Sequence, residues 1–275
     1  MASLGCDIFR IQDKETGVKE LSAVNSLVVL PQEVIDPTRA RLEGARALYA
    51  FETHGVRDGQ TIKVCVLGGL RGEAKVLSAT TSSVVLELNL SLPSLEPIPF
   101  SLLVGVSRPQ TVKKVIQAAV MFGVSSLHFV RSELGEKSYL QSRSLDSDQI
   151  EEETVKALEQ VWDSRAPEIV VHRTFSYFME NKLAGIAASL EAQTSGLRAQ
   201  GFVAHPGGAR LRCSDAARLK DSPAIIAIGP ERGWSDAEVR AFAGSGFQVV
   251  GLGDRVVRVE LALVFLMGTL APLRA

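Results

Sequence analysis

Two runs closed by glycine, the first continuously apolar and the second broken by Gln248, constrain this chain more than any other feature. Ala224-Ile-Ile-Ala-Ile228 stops at Gly229-Pro230, and residues 247–252 stop at Gly253-Asp254. A strand covered on both faces reads as an unbroken apolar run that hands over to a loop at its end. After the first run, Ser235 and Glu238 stand at capping-box spacing, so a helix begins there with unpaired amides facing the loop. Such a helix end attracts anions. Gly244 and Gly246 stop that helix, and the second run then delivers a second loop to the same sheet edge. Open parallel sheets bind ligands beyond the carboxyl ends of their strands, which makes this edge the expected site. On spacing alone the same residues also serve as plain turn punctuation. Neither loop carries a dinucleotide fingerprint or a phosphate loop ending in Gly-Lys-Ser or Gly-Lys-Thr.

Upstream, strands and helices alternate. Strands are expected over residues 100–106, 126–130, 168–172 and 201–205, and helices over 111–122, 147–162 and 175–192, the first with Val112, Val115, Ile116, Ala119 and Val120 inward. This order means a parallel sheet with helices on its faces. The last helix, residues 260–270, is apolar nearly all round, from Leu261 to Met267, and so is expected to be enclosed by its own domain or by a partner subunit.

The first third reads differently. Alternation at 61–67, 73–77 and 83–88, with turns at Asp58-Gly59 and Gly68-Gly69, gives a small meander, and residues 37–51 have Leu42, Ala45 and Leu48 or Tyr49 at helical spacing. The expectation is a small β-barrel-like domain with one packed helix. Pro93, Pro97 and Pro99 crowd a linker, placing a boundary near residue 95. Arg39, Arg41, Arg46 and Arg57 form either a basic patch or, with neighbouring acids, a solvated mixed face.

With 275 residues, the chain has room for one large or two modest domains. Its net charge of -1 excludes a globally basic nucleic-acid binder and leaves a local patch open. Cys6, Cys65 and Cys213 fit neither a disulfide framework nor a zinc spacing, and read as buried thiols in a reducing compartment. The histidines, His54, His128, His172 and His205, show no metal spacing, so no metal is expected. No apolar run reaches bilayer length and no signal-like core is present, which points to the cytosol or an organelle interior. Arg255, Arg258 and Glu260 cluster where the last loop enters the apolar helix, as a structural Arg–Glu pair or a functional group; Glu231 and Arg232 allow the same two readings.

Ile228-Gly-Pro-Glu-Arg-Gly-Trp-Ser235 followed by Gly246-Phe-Gln-Val-Val-Gly-Leu-Gly-Asp-Arg-Val-Val-Arg-Val-Glu-Leu-Ala262 resembles the C-terminal signature of the small-subunit ribosomal RNA uridine-N3 methyltransferases (methyltransferase E), of the SPOUT superfamily. The resemblance extends through Arg108-Pro109, Gln117-Ala-Ala, Glu136-Lys-Ser-Tyr-Leu-Gln-Ser142, Glu159-Gln-Val-Trp-Asp-Ser-Arg165 and Ala204-His-Pro-Gly207. It implies a PUA-like β-barrel over residues 1–92 that docks RNA and a knotted α/β domain over 98–275 that acts as a homodimer. S-adenosylmethionine would be held by Ala204, His205, Pro206 and Gly207, by Ile228, Gly229, Pro230, Glu231 and Gly233, and by Leu252, Gly253, Val256 and Val257. Arg258 would hold the uracil anion, and Glu260 would orient that arginine or take the proton. Arg39, Arg41, Arg46, Arg57 and Arg108 would contact RNA. The resembling family has glycine at Arg232, lysine at Gln110 and threonine at Leu261. An arginine replacing a positive-φ glycine costs on the order of 1 kcal/mol and would fill space near the cofactor. Leu261 would forgo a hydrogen bond worth roughly 1 kcal/mol. These departures motivate the rival expectation, a degenerate homologue that binds ribosomal RNA without methylating it; a methyltransferase for another RNA is the third.

Overall fold

The computed structural model describes residues 26–211 and 222–271. Cys6 and Cys213 lie outside them, as do residues 1–25 of the expected barrel. Cys65 is fully buried and free.

Strands β1 (Leu27–Val29), β2 (Val34–Asp36), β3 (Arg39–Glu43), β4 (Thr61–Val66), β5 (Arg71–Ala79) and β6 (Ser83–Leu92) form one sheet in the order β1-β4-β5-β6-β3-β2. All neighbours are antiparallel except β1 and β4. Helix α1 (Gly44–Glu52) packs on it through Ala47 and Ala50. The single helix expected over residues 37–51 is therefore corrected to a strand followed by a helix. In β3, Ala40 and Leu42 are buried between exposed neighbours, a period of two, and Gly44, at φ +55°, turns the chain from strand to helix.

The second sheet contains β7 (Ile98–Gly105), β8 (Val124–Val130), β9 (Glu168–His172), β10 (Gln200–Arg210), β11 (Ala224–Ile228) and β12 (Gln248–Gly251). Its order is β12-β10-β11-β7-β8-β9, and every pairing is parallel. Helices α2 (Pro109–Phe122), α3 (Ser147–Val161) and α7 (Val259–Leu270) share one core with it, including Ile116, Leu158 and Leu263. Helices α4 (Phe175–Asn181), α5 (Leu183–Gln193) and α6 (Asp236–Gly244) build a second core with Leu103, Ala227 and Trp234. The helix expected over 175–192 breaks at Lys182, which lets Phe178 and Leu190 both bury against the sheet. The strand expected over 201–205 continues to Arg210: its register on β12 shifts between Ala204 and Ala209, so residues 205–208 bulge from the ladder. Gly208 is required there, since a Cβ would stand 2.5 Å from the Val250 carbonyl carbon.

The terminal helix is enclosed by its own domain on one face only. One face of α7 is buried through Ala262, Leu263, Leu266 and Met267, whereas Leu261, Val264 and Phe265 are 55%, 47% and 46% exposed.

Candidate active site at the carboxyl edge of the second sheet

Register fixes where the loops emerge. Ala204 pairs with Ile228 and Val250, Ile228 with Val104, and Val104 with Phe129, so one row crosses the sheet at the carboxyl ends of β12, β11, β7 and β8 and at the start of the β10 bulge. The predicted loops 204–208, 229–235 and 252–258 all leave from this edge. The chain turns back across the sheet between β8–β9 and β10–β12, leaving β7 and β11 adjacent at the reversal, the position where open sheets form a ligand crevice.

The loop after β11 is tightly built. Ile228, Gly229 and Pro230 are buried. A Cβ on Gly105 would lie 2.3 Å from Pro230 Cδ, and one on Gly229 would lie 2.6 Å from the Gly233 carbonyl carbon, so β7 and this loop touch backbone to backbone. The Gly233 amide donates to Pro230 O at 2.7 Å. Behind the loop, Glu238 is 4% exposed and accepts from the Ser235 amide at 2.8 Å, Ser132 Oγ at 3.0 Å and the Glu133 amide at 2.8 Å. Its own amide completes the capping box with Ser235 Oγ. This buried carboxylate, missed as a site-building residue at the sequence level beyond its capping role, joins the β8 loop to the β11 loop.

Glu231 is exposed, and its carboxylate is spent on helix α2: Oε1 accepts from the Arg108 amide at 3.0 Å and from Thr111 Oγ1 at 3.2 Å. Arg232 does not have positive φ; the left-handed residue is Gly233, at φ +76°. The expected strain at Arg232 is thus corrected. Its side chain is 71% exposed and lies 3.4 Å from Glu136. In the first loop, His205 Nδ1 accepts from the Gly207 amide at 3.2 Å. In the third, Gly253 takes φ +107° and residues 254–258 are exposed, Val256 completely.

Arg258 is the N-cap of α7 and is exposed. Glu260 pairs not with an arginine but with Lys114 on α2, at 3.2 Å. Burial raises the Glu260 carboxyl pKa, but its own amide, Lys114 and the nearby Arg258 charge outweigh that and hold it below its ordinary value. Arg258 is exposed at this edge, two residues before the ionised Glu260, and has no ion-pair partner among the described residues.

The expected RNA-contacting arginines are not brought together. Arg46 is engaged internally, 3.1 Å from Glu33 and donating to Val28 O. Arg57 donates to Phe51 O at 2.6 Å and stacks on the Phe51 ring. Arg41 stands 3.9 Å from Glu43, and Arg39 is opposite Glu87 in the ladder. Arg108 alone of the five lies at the site edge.

A cavity of about 420 Å³ lies elsewhere, between the β7–β9 face and α5. Its floor carries a buried polar chain: Ser101 Oγ to Ser126 Oγ at 2.6 Å, Ser126 Oγ to His128 Nε2 at 3.0 Å, His128 Nδ1 to His172 Nε2 at 3.1 Å. Burial, then the neighbouring His172, lowers the His128 pKa to about 4. Among the described residues no group of three His, Cys, Asp or Glu side chains could hold a metal, and no helix is long and apolar enough to cross a membrane.

Known proteins resemble this chain in sequence and in fold. The chain is 29% identical over 205 residues to a Treponema pallidum ribosomal RNA small subunit methyltransferase E, covering 74% of each chain. It is 25% identical over 236 residues to the Synechocystis protein of the same name, covering 86% of this chain and 73% of the relative. Its fold is similar to that of a Legionella pneumophila methyltransferase solved in complex with the cofactor SAM, with a TM-score of 0.70 at 18% identity over 89% of this chain and 96% of that one. Likewise, a Neisseria gonorrhoeae ribosomal RNA small subunit methyltransferase E bound to S-adenosyl methionine gives 0.66 at 16% identity, over 88% and 97%. Residues 94–271, which hold the parallel sheet and all three loops, match the RNA methyltransferase domain family, and the chain belongs to that family.

Proposed function

We propose that this protein transfers the methyl group of S-adenosylmethionine to N3 of a uridine in small-subunit ribosomal RNA. The observation that carries the reading is the delivery of loops 204–208, 229–235 and 252–258 to one sheet edge, with Arg258 exposed beside them. The loops suit the cofactor: Gly233 and Gly253 have positive φ and open space where a Cβ would stand, so a ligand can approach their backbone. Ala204, His205, Pro206 and Gly207, Ile228 through Gly233 apart from Arg232, and Leu252, Gly253, Val256 and Val257 would hold it. The bound cofactor supplies an electrophilic methyl group.

The chain's own residues handle the acceptor. N3 of uracil is a weakly acidic imide nitrogen that must lose its proton as it attacks, leaving negative charge on the ring. Arg258 meets that charge where it develops. Glu260, kept ionised and paired with Lys114 rather than with Arg258, takes the N3 proton through water. The target base must be unstacked to reach the edge.

In the same reading, residues 1–92 form a PUA-like barrel that docks RNA, and residues 98–275 form the knotted catalytic domain. The exposed stripe of Leu261, Val264 and Phe265, continuing from exposed Val256 and Val257, is the face of a homodimer whose partner covers the third loop. The test is methylation of small subunits lacking the modification, read by mass mapping of the RNA. N3-methyluridine that appears with the wild-type chain and not with Arg258→Ala supports the proposal; cofactor binding without methyl transfer would point instead to an RNA-binding homologue.

A further inference from the structure

Glu159, near the end of α3, is 1% exposed and is not part of the catalytic edge. Its carboxylate accepts from the Val28 amide at 3.3 Å and Tyr49 OH at 3.4 Å, meets His54 Nε2 at 3.1 Å, and lies 3.9 Å from the Arg46 guanidinium. Its carbonyl accepts both the amide and the hydroxyl of Ser26, at 2.9 and 3.1 Å. Every one of these partners belongs to the N-terminal sheet, its helix or the segment entering it, while α3 belongs to the other sheet.

The residues that follow repeat the pattern. Trp162 ends α3 in the left-handed conformation, φ 50°, which costs a non-glycine residue on the order of 1 kcal/mol. That turn lets its indole Nε1 donate to Val64 O at 3.2 Å and its carbonyl accept from Arg71 at 3.0 Å. Asp163 accepts from Cys65 Sγ through its carbonyl and from the Leu95 amide through its carboxylate, at 3.1 and 2.9 Å. The Ser164 carbonyl accepts the Gly68 amide at 2.7 Å, and its hydroxyl donates to Gly69 O at 2.6 Å.

Apolar contact would suffice for mere adhesion, since a buried charge seldom adds stability over a well-packed hydrophobe. Directional bonds to fixed backbone groups define one orientation instead. The same helix continues to the catalytic edge: Glu153 of α3 binds Lys113 and Gln117 of α2 at 2.9 and 2.8 Å, and the first turn of α2 is held by Glu231. An unbroken path of bonded elements thus runs from the N-terminal sheet through α3 and α2 to the loop after β11.

We propose that residues 159–164 form a clasp that sets the angle at which the N-terminal sheet presents RNA to the catalytic edge, with Glu159 as a positioning residue for the RNA substrate. The inference rests on the reading that the N-terminal half docks RNA. Its test uses the full-length protein with Glu159→Ala, the conservative Glu159→Gln, and the double variant Tyr49→Phe with His54→Asn. Two readouts are taken: steady-state methylation of small subunits, and the distance distribution between spin labels at Lys75→Cys and Arg240→Cys in a Cys6→Ser, Cys213→Ser background, with labelled protomers diluted into unlabelled ones. The expected result for Glu159→Ala is a KM for RNA at least tenfold higher and a broadened distance distribution. Cofactor Kd and kcat at saturating RNA stay within twofold, and Glu159→Gln lies between wild type and Glu159→Ala. If Glu159→Ala does not fold, the double variant carries the same expectation. An unchanged KM, or a raised KM with a distribution as narrow as wild type, overturns the clasp. Should the wild-type chain fail to methylate small subunits, the proposed reaction falls, while the distance measurement still decides whether Glu159 sets the angle.

Discussion

Glu231 accepts the Arg108 amide at 3.0 Å across 123 residues of chain, so the loop after β11 caps the helix that follows β7. A carboxylate at a helix N-terminus satisfies an otherwise unpaired amide and complements the helix dipole. Glu231→Ala is expected to lower stability by about 1 kcal/mol. Freed from α2, the loop should also bind cofactor more weakly, by roughly tenfold or less, in line with the loss of one positioning contact. Urea melts and calorimetric titration with S-adenosylmethionine check both parts, and equal affinity in the variant would show that the cap does not hold the loop.

Arg258→Ala should reduce kcat by about two to three orders of magnitude, the usual effect of removing a donor aimed at developing negative charge. Arg258→Lys retains the charge without the planar fork and should fall between the two. Single-turnover assays at saturating cofactor separate this loss from binding; undiminished turnover in Arg258→Ala would remove the arginine from the mechanism.

Arg232→Gly should leave cofactor affinity unchanged. Arg232 lies outside the left-handed region and points to Glu136 from the surface, so glycine there relieves no strain and opens no pocket. A large gain in affinity on titration would contradict this placement.

Phe265→Asp, in the exposed apolar stripe of α7, should dissociate the proposed dimer, because a desolvated unpaired charge at an interface core is strongly unfavourable. Sedimentation velocity reads the outcome, and a monomeric wild-type chain would refute the dimer face.

Acid should unfold the chain partly through His128. Its folded pKa is about 4 against an ordinary 6.5, so the neutral form is favoured by folding, and the unfolded chain takes up the proton first. The stability tied to this group is complete above about pH 6.5, falls as the pH drops toward 4, and amounts to roughly 3 kcal/mol. His128→Asn should flatten that part of the profile, measured by denaturant melts from pH 7 to pH 4.

What could be read from the residues alone was local. The runs ending at Gly229 and Gly253, and the Ser235–Glu238 capping box, carry their meaning within a few positions, and the structure places them as strand ends and a helix start. Residues 37–51 misled because β3 shows only two inward positions, Ala40 and Leu42, too few for alternation to outweigh the helical spacing of Leu42, Ala45 and Leu48. The extension of β10 to Arg210 was hidden by Pro206-Gly207-Gly208, which resembles a strand end and is instead the bulge. The break at Lys182 has no glycine or proline to announce it. At the site, the loops were legible and the partners were not: Glu231 with Arg108, Glu238 with Ser132, and Glu260 with Lys114 each join distant segments, and such pairings leave no spacing to detect.

The polar chain from Ser101 through Ser126 and His128 to His172 has a further consequence for how the sheet assembles. Parallel strands rich in valine, leucine and isoleucine offer nearly equivalent apolar surfaces at several alignments, so their pairing is open to slippage. Moving β8 by one residue against β7 would turn Ser126 and His128 to the opposite face, and moving it by two would part Ser126 from Ser101. Either error would strand buried hydroxyl and imidazole groups without partners, at a cost of about 1 to 3 kcal/mol for each. These four side chains therefore act as alignment marks for β7, β8 and β9, penalising slipped pairings within that half of the sheet.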